Sequence, residues 1–70
     1  MAAIVSPMSG KIVNVFVSEG EKIEEGQVVL VLEAMKMEND VVASEGGTIA
    51  KILVKEGQQV NAGEDLITLA

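Results

Sequence analysis

The residues best suited to chemistry in this chain lie at its middle. Lys36 stands between Met35 and Met37, and the strand-forming run at residues 28–32 leads into them. Lysine has a long flexible stem that ends in an amine, and in a hairpin turn it is usually only a solvated charge. The two methionines either fold back to fill a gap at the end of the domain or form an adaptable apolar patch for a partner.

Other chemistry is excluded by composition. The sequence contains no cysteine and no histidine, so it has no disulfide and no nucleophile–histidine triad, and a structural zinc site is not expected. The net charge is −6 and there are only five basic residues, which argues against binding to nucleic acid or to anionic membrane surfaces. No membrane span and no signal peptide are visible. We therefore expect a non-catalytic chain with no catalytic residues, no metal and no direct membrane contact.

The length predicts a single domain over residues 1–70. A core this small depends on aliphatic packing, which suits a chain that is 49% hydrophobic but only 1% aromatic. The missing cysteines fit a reducing compartment, so a cytoplasmic location is expected.

An internal repeat organises the chain. A shift of 37 residues superimposes residues 4–33 on residues 41–70, with eight identities in thirty positions. Two copies are too few for a solenoid, so two half-domains that pair into one core are predicted. The identical positions are Val5, Gly10, Ile12, Val17, Glu19, Gly20, Gly26 and Leu32, with their equivalents in the second half.

Each half is predicted to contain four short strands and no helix. The second strand, residues 11–17, breaks strict alternation at Ile12, which favours a bulge or a bend near residue 13. Eight strands in two equivalent sets predict an all-β flattened barrel or sandwich of two four-stranded antiparallel sheets with two-fold pseudo-symmetry. The junction at residues 34–40 then lies at one end, opposite the termini. The remaining strands are predicted at residues 2–5, 22–23, 28–33, 38–42, 48–54, 59–60 and 65–69.

The central motif resembles a known family. The segment Glu33-Ala34-Met35-Lys36-Met37-Glu38-Asn39 is similar to the attachment motif of biotinyl domains, the biotin carboxyl carrier modules of biotin-dependent carboxylases, transcarboxylases and decarboxylases. The turns around Pro7, Gly20, Gly26 and Gly57 also resemble the family pattern, so the resemblance covers nearly the whole chain.

The resemblance implies biotin as the cofactor, joined covalently to Lys36, with Met35 and Met37 beside it. It implies a biotin protein ligase as one partner, and biotin carboxylase and carboxyltransferase or decarboxylase sites between which the domain carries carboxybiotin. The isolated domain is expected to be a monomer. The domain is not expected to catalyse its own modification, so the ligase must supply the base and the activated biotin.

Two alternatives remain open at this point. Lipoyl domains share the fold, but usually carry Asp-Lys-Ala where this chain has Met35, Lys36 and Met37. An unmodified interaction module of the same barrel type is the second alternative, and the two complete halves argue against it. The abrupt start at Met1 suggests either an excised domain or a small separate subunit. The substrate of the parent enzyme is left open.

Overall fold

The structure, a computed structural model, describes residues 2–70. Eight strands follow one another along the chain, and no strand is longer than seven residues. They are β1 (Ala3–Val5), β2 (Gly10–Val15), β3 (Lys22–Ile23), β4 (Val28–Ala34), β5 (Met37–Val42), β6 (Gly47–Ile52), β7 (Gln59–Val60) and β8 (Asp65–Leu69).

The eight strands form two four-stranded antiparallel sheets, which confirms the predicted fold class. The strand orders are β1-β8-β6-β3 and β5-β4-β2-β7, so each sheet contains two strands from each half of the chain. The pairing repeats with the sequence: Ile12 pairs with Leu32, and 37 residues later Ile49 pairs with Leu69. The two halves therefore interlock through equivalent registers, which is the basis of the pseudo-two-fold symmetry.

The core consists almost wholly of aliphatic side chains, as the composition predicts. Strand β4 is its centre, because four consecutive residues from Val29 to Leu32 are buried, which means that both faces of this strand are covered. Strand β8 is the equivalent strand of the other sheet and buries Leu66, Ile67 and Leu69. These central strands exclude water from the middle of each sheet and give the molecule its rigidity.

The predicted irregularity in β2 is confirmed. The register of β2 against β4 shifts between Ile12 and Asn14, so Val13 is the bulged residue and Ile12 turns into the core. The predicted range of 11–17 was wrong at its end, because β2 stops at Val15 and leaves Phe16 56% exposed. A bulge bends its strand, which explains why simple alternation could not place these last residues.

The other boundary corrections are small and fall into two groups. The strand predicted at 48–54 ends at Ile52, and the one predicted at 2–5 begins at Ala3. The strands predicted at 28–33 and 38–42 each extend one residue further toward the central turn. In the strands that are shorter than predicted, apolar residues continue beyond the paired part of the strand. In the strands that are longer than predicted, pairing across the hairpin extends each strand toward the turn.

Two glutamates tie the halves together across the bulged strands. The Glu56 Oε2 atom accepts a hydrogen bond from the Val15 N–H at 3.2 Å. Its symmetry equivalent, Glu19 Oε2, accepts one from the Ile52 N–H at 3.1 Å. Each carboxylate thus satisfies a backbone donor at the end of a strand from the opposite half.

We predict that Glu19→Ala and Glu56→Ala each lower the free energy of unfolding by about 1 kcal/mol, because each leaves one backbone N–H without its carboxylate partner. Urea denaturation of the two variants measures this. Glu45→Ala is the matched control, since Glu45 is an exposed turn glutamate of the same charge. If only one of the two variants lost stability, or if both lost no more than the control, the symmetric role of the Glu19 and Glu56 hydrogen bonds would be contradicted.

Candidate functional site

The site is the hairpin that joins β4 to β5. Ala34 pairs with Met37, so the turn itself consists of only two residues, Met35 and Lys36. Their φ values are 53° and 64°, and a two-residue loop with two positive φ values is a type I′ turn. This turn matches the right-handed twist of the flanking strands and sends the chain straight back along β4.

This turn is conformationally costly for the residues that occupy it. Type I′ turns favour Asn-Gly or Gly-Gly, because side chains with a Cβ atom are crowded in the left-handed region. Met35 and Lys36 are the two non-glycine residues with positive φ among residues 2–70, and the strain is about 1–2 kcal/mol for each. The strain lies at the one place where a lysine side chain is presented at the tip of a hairpin.

The three side chains at the tip point into solvent. Met35 is 94% exposed and Met37 is 66% exposed, and Lys36 between them is also exposed. The interpretation in which the methionines fold back and fill a gap is therefore wrong for Met35, and most of Met37 also remains uncovered. Their contribution to the surface is apolar and flexible, which leaves the adaptable-patch interpretation in place.

The base of the hairpin is held by local and cross-strand contacts. The Asn39 Nδ2 group donates a hydrogen bond of 3.1 Å to the Met37 backbone carbonyl, so a side chain of β5 fixes the backbone just after the turn. On the other side, Ala34 is half-buried and its Cβ lies 3.4 Å from the position that a Cβ on Gly10 would occupy. The mobile side chain of Lys36 thus starts from a well-supported backbone.

The surroundings of Gly10 differ from those of its repeat equivalent, Gly47, so the two-fold symmetry of the fold is broken next to the β4–β5 hairpin. A Cβ atom added to Gly10 would lie 2.6 Å from the Glu33 backbone oxygen, closer than real Cβ atoms approach. The equivalent Gly47 would meet only the Leu69 side chain, at 3.5 Å. Strand β2 therefore lies so close to the end of β4 that enters the hairpin that only glycine permits the approach at position 10.

Charged side chains flank the hairpin in one row. Glu33 is directly opposite Glu38 in the β4–β5 pairing and opposite Lys11 in the β2–β4 pairing, and all three are exposed. Side chains at paired positions lie on the same face of a sheet, so two carboxylates are neighbours, with one lysine beside them. The sequence placed Glu33 and Glu38 near Lys36, but it contained no signal for the contribution of Lys11.

The structure thus brings together the predicted site residues Lys36, Met35 and Met37 at one exposed tip, with Glu33 and Glu38 at its base. The sequence missed the left-handed turn and the close approach at Gly10. Within the part of the chain that the structure describes there is no enclosed pocket, and no group of acidic side chains is arranged to hold a metal ion. Across residues 2–70, no helix has the length and hydropathy needed to cross a membrane.

Comparison with known proteins agrees with this site. The family model described as "Biotin-requiring enzyme" matches residues 2–69. The chain is 51% identical over 65 residues to the biotin carboxyl carrier protein of Streptococcus mutans, and the match covers 93% of this chain and 50% of that protein. It is also 51% identical over 39 residues to glutaconyl-CoA decarboxylase subunit gamma of Acidaminococcus fermentans, covering 56% of this chain and 27% of that subunit.

A solved structure gives the same result in three dimensions. Urea carboxylase from Kluyveromyces lactis superimposes with a TM-score of 0.90 at 32% identity, over 99% of this chain and 6% of that one. Fold and site together define a carrier domain for a covalently bound cofactor. The chain belongs to the biotin-requiring enzyme family, and its covalently bound cofactor is biotin. It spans half or less of the length of these relatives, which are parts of carboxylases and decarboxylases.

We predict that Gly10→Ala lowers the free energy of unfolding by about 1–3 kcal/mol, because its methyl group collides with a backbone atom that cannot move aside alone. Amide chemical shifts should change at residues 33–38. Gly47→Ala is the matched control: its contact is an ordinary one with a flexible side chain, so its loss should be under about 1 kcal/mol. The close approach of β2 to β4 would be refuted if both variants lost the same free energy of unfolding and the amide shifts of residues 33–38 were unchanged in Gly10→Ala.

We also predict that the double variant Met35→Asn/Lys36→Gly raises the free energy of unfolding by about 1–2 kcal/mol, because Asn and Gly relieve the left-handed strain. Met35→Ala/Lys36→Ala is the matched control, since alanine removes the same side chains but keeps the strained conformation. Thermal and urea unfolding give the comparison. Equal stability of the two double variants would argue against strain in the turn.

Proposed function

We propose that Lys36 is the attachment residue for biotin, through an amide bond between the Lys36 Nζ atom and the carboxyl group of biotin. The observation that carries this proposal is the presentation of Lys36 at the tip of a two-residue turn between exposed Met35 and Met37. A primary amine with no enclosing pocket fits a cofactor that is held by one covalent bond and must remain free to move.

The chain's own residues act as a support for this arm. Biotin supplies the capacity to accept and release a carboxyl group once it is attached, and the protein supplies its placement. The Asn39 hydrogen bond and the close β2–β4 approach at Gly10 hold the backbone from which Lys36 starts. A rigid base with a flexible end limits the volume that the arm searches, without fixing it in one orientation.

The partners follow from this role. A biotin protein ligase attaches the cofactor, since the described residues offer no enclosed site for that reaction. Biotin carboxylase and a carboxyltransferase or decarboxylase then use the loaded arm in turn. Tethering makes each delivery intramolecular and dependent on effective concentration. The chain itself is a non-catalytic, monomeric carrier module in the cytoplasm, with Met35 and Met37 as part of the surface that partners contact.

A lipoyl carrier is the less well supported function. Its usual Asp-Lys-Ala motif would place an acidic residue and a small residue beside the lysine, whereas this chain exposes two methionines there. The Streptococcus mutans relative is named a biotin carboxyl carrier protein, which also supports biotin over lipoate.

The test is modification of the purified chain by a biotin protein ligase with ATP and biotin, followed by intact mass. We expect one biotin per chain, and we expect Lys36→Arg to abolish it while keeping the positive charge. Lys11→Arg is the matched control, because Lys11 is an exposed strand lysine on the same sheet. Biotin on Lys36→Arg, or none on the parent chain when a known acceptor is labelled, would overturn the proposal.

A further inference from the structure

The oxidation chemistry of this chain is concentrated in methionine. The sequence contains four methionines but no cysteine, histidine, tryptophan or tyrosine. Methionine is oxidised to its sulfoxide by peroxides, and the reaction is reversed by methionine sulfoxide reductases. Because the chain has no thiol, its thioethers are the side chains that a peroxide oxidises first.

Exposure selects which thioethers react while the protein is folded. Met35 is 94% exposed and Met37 is 66% exposed, whereas Met8 is half-buried and packed against the core. Within residues 2–70, the two exposed thioethers immediately precede and follow Lys36. A partner that engages this lysine therefore meets the most exposed methionines of the described part of the chain.

Oxidation at this position would change the surface without changing the fold. Met35 and Met37 are outside the hydrophobic core cluster, so no packed side chain loses its neighbours when they become polar. A sulfoxide carries a strong hydrogen-bond acceptor in place of a soft apolar sulfur. A partner that covers these side chains with apolar surface would have to bury that acceptor without a donor, which is unfavourable.

We propose that Met35 and Met37 form a reversible redox modification site that controls the access of partner enzymes to Lys36. The proposal rests on the proposed function for its consequence, but not for the modification itself. In each step the thioether sulfur attacks one oxygen of hydrogen peroxide and the O–O bond breaks. A sulfur–oxygen bond forms, the sulfur loses two electrons, and the peroxide is reduced to one molecule of water.

The modification is tested first by mapping on the unbiotinylated chain. Folded protein is treated with hydrogen peroxide, quenched at intervals and digested after lysine, which places Met35 and Met37 on separate peptides because Lys36 lies between them. We expect sulfoxide to form at both several times faster than at Met8, and the difference to vanish in urea. Comparable rates at all three residues in the folded protein would overturn the selectivity.

The consequence is tested by the rate of biotin attachment. Oxidised protein should be biotinylated about tenfold more slowly, in kcat/KM, than untreated protein, and a methionine sulfoxide reductase system should restore the rate. The ratio of oxidised to untreated rates is compared within each variant. Met35→Leu/Met37→Leu should show a ratio near one, whereas Met8→Leu should remain as sensitive as the parent chain.

The outcomes separate this proposal from the proposed function. Equal rates for oxidised and untreated parent chain, or equal inhibition of Met35→Leu/Met37→Leu, would overturn control by these methionines while leaving Lys36 as the attachment residue. If untreated protein accepts no biotin, the proposed function fails and control of its rate fails with it. The peptide map then still decides whether Met35 and Met37 are the site of oxidation.

Discussion

The interlocking of the two half-repeats is the constraint on which the rest of the molecule depends. Neither half can cover the apolar faces of its own strands, because each sheet takes two strands from each half. The central strands β4 and β8 become buried only when the other half supplies neighbours. Seventy residues without a disulfide thus obtain a core from long-range aliphatic contacts, which makes the two halves one cooperative unit.

The same symmetry relates the strand pairing at the base of the β4–β5 hairpin to a pair in the other sheet. The β4–β5 hairpin is the equivalent of the β8–β1 pair, whose registers match it residue for residue; for example, Leu30 pairs with Val41 as Ile67 pairs with Ile4. β4 and β5 are joined directly by the two-residue turn, whereas β8 and β1 pair without a turn between them. The exposed side chains of Met35 and Lys36 thus stand at the end of a paired, two-stranded base.

The symmetry is broken at the β4–β5 hairpin. Gly10 and Gly47 are equivalent in the repeat, yet only Gly10 lies against backbone, at the residue that enters the hairpin. The strained turn at Met35 and Lys36 likewise has no equivalent among the other described turns, whose positive φ values fall on glycine. Strain that is retained at one exposed turn of a small fold is best understood as the cost of placing a lysine where glycine would be more stable.

Much of this protein was determined by its sequence alone. The 37-residue repeat, the alternation of apolar residues and the glycine turns predicted eight strands, two half-domains that pair into one core and a hairpin at Lys36, because these features are local or repeat along the chain. The broken alternation at Ile12 even predicted the bulge in β2. The lack of histidine and cysteine argues against a catalytic triad or a zinc site, and the resemblance of residues 33–39 to the attachment motif of biotinyl domains predicts Lys36 as the attachment residue.

Only the tertiary structure decided the rest. The left-handed conformation of Met35 and Lys36 accompanies the register of β4 against β5, since that register leaves a two-residue connection and the twist of the strands favours the primed turn types there. The approach of Gly10 to the Glu33 oxygen and the bracing by Glu19 and Glu56 join residues far apart in sequence. Such contacts depend on strand pairing over the whole molecule, and no local pattern of residue types records that pairing.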